Sequence, residues 1–187
     1  TNADGSDANN TETITVDTER PTIALSSSAA NLKAGETATI TFTLSESASD
    51  FVVGDITVSG GTLGSFSGSG TSYTVVFTPT ASSTANGVIS VADTKFTDAA
   101  GNTNADGSDA NNTETITVDT VLPTLLSAET GDNNGDGTVD RLVLTFSEQV
   151  DLTSVDNNNF TLTESAGGSS LAIGGSYSAS DQTTVTL

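Results

Sequence analysis

The stretch DNNGDGTVD, Asp132–Asp140, sets oxygen-bearing side chains at alternate positions: Asp132, Asn134 and Asp136, then Gly137, then Asp140. Carboxylates and amides at this spacing suit a hard cation, Ca2+ above all, which gathers about six to eight oxygens. The order is that of the first nine positions of an EF-hand-type loop, in which position 7, here Thr138, offers its backbone carbonyl. The glutamate of position 12 is replaced by Val143, and no flanking helices are legible. Such a loop needs water or another donor to complete its shell. The plainer alternative is a solvated Asn-Gly and Asp-Gly turn between two strands.

Composition narrows the chemistry further. In 187 residues the chain has 24 Asp and Glu against 4 Lys and Arg, a formal charge of −20, with no Cys, His, Met or Trp. Phosphate binding needs a basic face, so nucleic acid is excluded, and an anionic membrane surface is disfavoured for the same reason. The usual general base, the thiol nucleophile and the common zinc ligands are missing. Paired carboxylates can cleave glycosides, but turns and metal binding account for every pair here, so the chain does not read as an enzyme. Thr1–Asn10 is polar throughout and no apolar run reaches membrane-spanning length.

The elements that position these residues come from a repeat. TNADGSDANNTETITVDT occupies residues 1–18 and returns unchanged at 103–120, an offset of 102 residues. At the same offset TERPT (Thr18–Thr22) lies over TVLPT (Thr120–Thr124), and Ser45-Glu46 over Ser147-Glu148. One immunoglobulin-like sandwich takes about that length. The register divides the chain into 1–18, the last strand of a preceding unit; 19–120, a complete unit; and 121–187, the first part of another. The short links each hold a proline, which fixes one φ and stiffens the join.

Strand signals fill the complete unit. TATITFTL (Thr37–Leu44) alternates Ala38, Ile40, Phe42 and Leu44 with threonine, and SYTVVFTP (Ser72–Pro79) puts Tyr73, Val75 and Phe77 on one face. TIAL (22–25), DITV (55–58), LGSF (63–66), GVISVAD (87–93) and TETITVD (113–119) bring the total to seven, lettered A to G. The expected fold is all-β: tandem immunoglobulin-like Greek-key β-sandwiches, the second incomplete. In that second unit NFTLTE (159–164) reads as strand C and TTVTL (183–187) as strand E. F and G are missing, so its core is expected to be open and unstable unless a neighbour fills it.

Up-and-down alternation predicts where the loops meet. The B–C, D–E and F–G loops share one pole with the incoming linker. Glu46 at the end of strand B, Asp98 and Asn102 in DAAGN of the F–G loop, and Asp17 and Glu19 from the linker then converge. Like charges brought together repel unless a cation sits among them. Asp119 and Glu148 hold the equivalent places at the next junction. A weaker pattern, NTNADGSD, places Asn102, Asn104, Asp106 and Gly107 at loop positions 1, 3, 5 and 6, with Asp109 beyond; a flexible polar F–G loop is the alternative.

Asp17–Thr22 (D-T-x-x-P-T), Phe42–Glu46 (F-x-x-S-E), Phe51–Gly61, Tyr73–Pro79 (Y-T-x-x-F-T-P) and Asp98–Asn102 (D-A-A-G-N) together resemble the bacterial Ig-like repeats of giant surface adhesins. The likeness covers residues 17–120, and the segment from 121 resembles a related repeat with a Ca2+ loop inserted. It implies a secreted, cell-surface stalk of the RTX type, exported by type I secretion in biofilm-forming bacteria. Neighbouring repeats are its partners, made rod-like by Ca2+ between them, and a distal domain does the adhesion. It also implies Asp17, Glu46, Asp98 and Asn102 as junction ligands. The competing function is a carbohydrate-binding Ig-like module or an accessory domain of a secreted enzyme. Only Tyr73 and Tyr177 speak for stacking on sugars, and Tyr73 reads as core.

Overall fold

The computed structural model describes residues 12–105, 110–137, 139, 141–151, 161–163, 170–172, 178–179 and 183–186. Among these there is no α-helix, only strands and two short 3-10 turns, Val53–Asp55 and Ala110–Asn112. The chain divides into two compact units, Thr1–Val121 and Leu122–Leu187.

The first unit is a two-sheet sandwich. One sheet is ordered β1 (Ile23–Ser27), β3 (Ala38–Ala48), β5 (Gly61–Pro79). The other is ordered β2 (Asn31–Lys33), β7 (Thr113–Asp119), β6 (Gly87–Val91), β4 (Ile56–Ser59). The period-two pattern turns directly into packing, because successive side chains of a strand point to opposite faces. Ala38, Ile40, Phe42 and Leu44 of β3 are buried while Thr39 and Thr43 between them face out. Val75 and Phe77 of β5, Ile89 and Val91 of β6, and Ile116 and Val118 of β7 close the same core. Phe51 sits edge-on to Phe42, Phe66, Tyr73 and Phe96, which seals one end.

Two features go beyond the sequence expectation. LGSF and SYTVVFTP are the two arms of one continuous run, Gly61–Pro79, that doubles back on itself. Gly68 (φ 131°) and Gly70 (φ 66°) allow the reversal. Ser67 and Thr74 hydroxyls then meet at 3.1 Å across the ribbon. The second is β2, a three-residue strand with no alternation to reveal it. It pairs in parallel with β7, Leu32 beside Val118 and Lys33 beside Asp119.

In the second unit β8 (Leu125–Gly131) and β9 (Arg141–Phe146) form a sheet with β12 (Ser178–Ala179) and β13 (Thr184–Thr186), ordered β12-β13-β9-β8. β10 (Thr161–Thr163), within the stretch expected as strand C, pairs with β11 (Ser170–Ala172). β13, within the stretch expected as strand E, lies against β9 as β5 lies against β3. The repeat register holds down to single bonds. Thr22 N–H donates to Ser45 Oγ at 2.9 Å, and Ser45 N–H returns to Thr22 O at 3.0 Å. Thr124 and Ser147 make the same reciprocal pair at 2.9 and 2.9 Å.

Candidate metal centre

Glu46 owes its position to a break in β3. That strand runs in register with β5 from Ala38 to Thr43, then shifts before Ala48 pairs with Gly70. A bulge re-aims side chains and bends a strand. Glu46 falls inside it, on the same parity as Ile40, Phe42 and Leu44, so it points along the core face at the rim of the sandwich and is half-buried. Asp98 comes from the loop after β6. Its carboxylate accepts the Asn102 backbone N–H at 2.8 Å and the Asn102 side-chain amide at 2.8 Å, which closes the DAAGN turn. Gly101 carries a positive φ of 94° in that turn.

Asp17 is delivered by the linker, which the following unit holds at several points. Asn102 Nδ2 also donates to Asp17 O at 3.2 Å. Arg20 donates Nε–H to Thr103 O at 2.7 Å, and its Nη2 reaches Thr103 Oγ1 at 3.0 Å and Asn104 O at 3.1 Å. Ala105 N–H donates to Pro21 O at 3.0 Å. The result is a carboxylate oxygen each from Asp17, Glu46 and Asp98, all within 4.8 Å of one another. Carboxylate oxygens gathered this closely could share one hard cation, which takes oxygen ligands.

The electrostatics agree with crowding. Burial pushes the Glu46 carboxyl above its ordinary range, and the charges of Asp17, Asp98 and Glu19 push it further. Burial acts on Asp98 in the same direction but is outweighed by the hydrogen bonds from Asn102, Gly101 and Ala100, which hold it below the ordinary range. Among the described residues Arg20 forms no ion pair; its guanidinium is occupied with backbone carbonyls and a hydroxyl. Among the described residues no Lys or Arg forms an ion pair with these three acids.

The sequence-derived candidates sort as follows. Asp17, Glu46 and Asp98 are brought together. Asn102 lies in the same site, but in this orientation its amide donates to Asp98 and to the Asp17 carbonyl, so it braces two of the acids. At the next linker Asp119 Oδ1 accepts Val121 N–H at 3.2 Å, as Asp17 Oδ1 accepts Glu19 N–H at 3.1 Å. Glu148, in the second unit, is half-buried, with Oε1 accepting no hydrogen bond among the described residues.

The Asp132 loop wraps its own first residue. Asp132 Oδ1 accepts from the Gly135 and Asp136 N–H groups at 2.6 and 3.2 Å, and Oδ2 from Gly137 at 2.7 Å. The Gly137 N–H, working against a burial effect and helped by Gly135 and Asp136, draws the Asp132 carboxyl below its ordinary range. Asn134 Oδ1 accepts the Asp136 N–H at 2.9 Å, and its amide reaches Asp136 Oδ2 at 3.1 Å. Gly135 and Gly137 take positive φ, 75° and 87°, as this turn demands. Thr138 and Asp140 lie outside the described residues.

The weaker NTNADGSD reading needs correction. Asn104 is fully buried, at 0 % exposure. Its Oδ1 accepts the Lys95 and Phe96 N–H groups at 2.6 and 3.1 Å, and its amide donates to Ala92 O at 3.1 Å. Its side chain satisfies backbone that would otherwise be unpaired in the interior, so it faces no ion. Asp106, Gly107 and Asp109 lie outside the described residues. Sequence reasoning missed Arg20; the signal was there, since it is one of only 4 cations in the chain and sits in the linker.

The profile of the bacterial Ig-like domain family matches residues 17–115, more than half of the chain. The chain belongs to that family. The matched segment starts at Asp17, the first acid of the cluster. No curated protein matches the chain. This family is one of non-catalytic modules, and its members suggest a cell-surface extender or module role. No helix among the described residues is long and apolar enough to cross a membrane.

Proposed function

We propose that this bacterial Ig-like chain is an extender of a secreted surface adhesin, a stalk segment whose junctions are stiffened by Ca2+. The observation that carries the reading is the Asp17, Glu46 and Asp98 cluster, a linker acid held against two acids of the following unit. Those three residues would be the ligands, with Asn102 bracing two of them and Arg20 fixing the linker path. The bound ion would supply charge neutralisation and cross-link linker to sandwich. The Asp132 loop, with Asn134, Asp136, Thr138 and Asp140, is proposed as a second Ca2+ position, and Asp119 with Glu148 as the counterpart junction. The partners are neighbouring repeats, and the setting is extracellular, on a bacterial surface.

No observation favours the carbohydrate-binding alternative. Tyr73 is buried at 5 % exposure and donates its hydroxyl to Ala48 O at 2.7 Å, so its ring is not a sugar platform. Tyr177 lies outside the described residues. The test is small-angle scattering of the full chain in chelator and in millimolar Ca2+. A longer, stiffer particle with Ca2+ is expected. Identical scattering curves together with identical melting curves would sink the reading.

A further inference from the structure

The chain contains two Asn-Gly pairs, Asn86-Gly87 and Asn134-Gly135. Such a pair can modify itself. The glycine nitrogen attacks the asparagine side-chain carbon, Cγ, and the missing Cβ on the second residue leaves room for the five-membered ring to close. The fold treats the two pairs differently.

Gly87 opens β6 and is buried opposite Ile116 of β7. A Cβ there would lie 2.4 Å from the Phe77 ring, and the Asn86 carbonyl is packed against Gly60. Ring closure turns the peptide between the two residues, so here it would pull β6 off its neighbours. Gly135 is exposed, with φ 75°, and outside its chain neighbours no atom lies within 4 Å of where a Cβ would stand.

The polar groups around Asn134 stand where the reaction needs them. The nucleophile is the Gly135 nitrogen, whose N–H donates to Asp132 Oδ1 at 2.6 Å. A carboxylate at that distance is within reach of the proton to be removed. The carbonyl under attack ends in Asn134 Oδ1, which accepts the Asp136 N–H at 2.9 Å. That donor stabilises the negative charge that grows on Oδ1 in the tetrahedral state. The leaving group is Asn134 Nδ2, which donates to Asp136 Oδ2 at 3.1 Å.

We propose that Asn134 is a self-modification site, converted to aspartate after folding with Asp132 as the base. The bond from Gly135 N to Asn134 Cγ forms as the Gly135 proton passes to Asp132. The Cγ–Nδ2 bond then breaks, and Nδ2 takes that proton and leaves as ammonia. The ring left behind is a succinimide, which solvent water opens. Addition at Cγ yields aspartate; addition at the Asn134 backbone carbonyl carbon yields isoaspartate. The converted loop carries one more negative charge, with carboxylates at 132, 134 and 136. No metal takes part, so the step is independent of the Ca2+ reading of the same loop.

The test is peptide mass spectrometry of the full chain, incubated in chelator at neutral pH, either folded or unfolded in urea. In urea the two pairs should convert at similar rates. In the folded chain Asn134 should convert faster than in urea, and Asn86 more slowly. Asp132→Asn should slow conversion in the folded chain by about a hundredfold, the low end of what a positioned base contributes, and leave the rate in urea unchanged. The proposal is overturned if Asn134 of the unaltered chain converts no faster folded than in urea, or if folded Asn86 keeps pace with it. It is equally overturned if Asp132→Asn leaves the folded rate unchanged or raises it, since a hydrogen bond that merely restrained Gly135 predicts that rise. The comparison in urea reads the unaltered chain, so it stands whatever the substitution does to the loop.

Discussion

Replacing Glu46 by glutamine separates the two roles of the acidic cluster. Without a cation, Glu46 is a liability: burial and the charges of Asp17, Asp98 and Glu19 all disfavour its ionised form. Glutamine removes that charge at nearly equal volume, so the ion-free melting temperature should hold or rise. With Ca2+ the sign reverses, because one of three carboxylates within 4.8 Å of one another is gone. For wild type, Ca2+ at a hundred times its dissociation constant stabilises the folded state by about 2.7 kcal/mol. The unit spans about 100 residues, so its unfolding entropy near the midpoint is about 0.2 kcal/mol/K and the expected shift is roughly 13 °C. Differential scanning calorimetry of wild-type and Glu46→Gln full chains, each with chelator and with Ca2+, reads all four values. Most of the shift should vanish in the variant, with the ion-free midpoint no lower. An undiminished Ca2+ shift in Glu46→Gln would refute the assignment, and so would a variant much less stable than wild type in chelator.

Arg20→Ala removes three hydrogen bonds that hold the linker to residues 103 and 104; a loss of about 1–2 kcal/mol by denaturant unfolding is expected. A weaker Ca2+ shift should accompany it, because Asp17 loses its fixed approach. Asn104→Leu strands the Lys95 and Phe96 N–H groups in the interior, so a cost of about 2–4 kcal/mol is expected by the same measurement. The pH dependence in chelator should show two opposed effects. Asp98 and Asp132 have folded pKa values below the ordinary range, so their stabilisation is present above that range and disappears as pH falls through and below it. Glu46 has a raised folded pKa, so its contribution is most favourable at acid pH and is lost as pH rises through the raised value. Calorimetry from pH 3 to 7 should therefore find Glu46→Gln gaining on wild type as pH rises, and Ca2+ should reverse that gain.

Much of the sandwich was readable because its signals are local. Alternation along Thr37–Leu44 and Ser72–Pro79 has period two, and only a half-buried strand has that period. The identical phrase at residues 1–18 and 103–120 fixed the repeat length, and the paired bonds of Thr22–Ser45 and Thr124–Ser147 follow from it. Convergence of Asp17, Glu46 and Asp98 was also legible, since up-and-down strands sort their loops to two poles whatever their contacts.

Tertiary structure alone decided the rest. β2 is too short to carry a pattern and exists because β7 offers it an edge. Asn104 matched a ligand position in sequence, but the unpaired backbone around Lys95 and Phe96 claimed its oxygen. The repeated phrase makes the same point most sharply. Its sequence dictates a strand with one apolar face, yet Ile116 is buried and Ile14 is not. A strand is completed by neighbours on both edges and a core beneath it, and those belong to the fold around the residues.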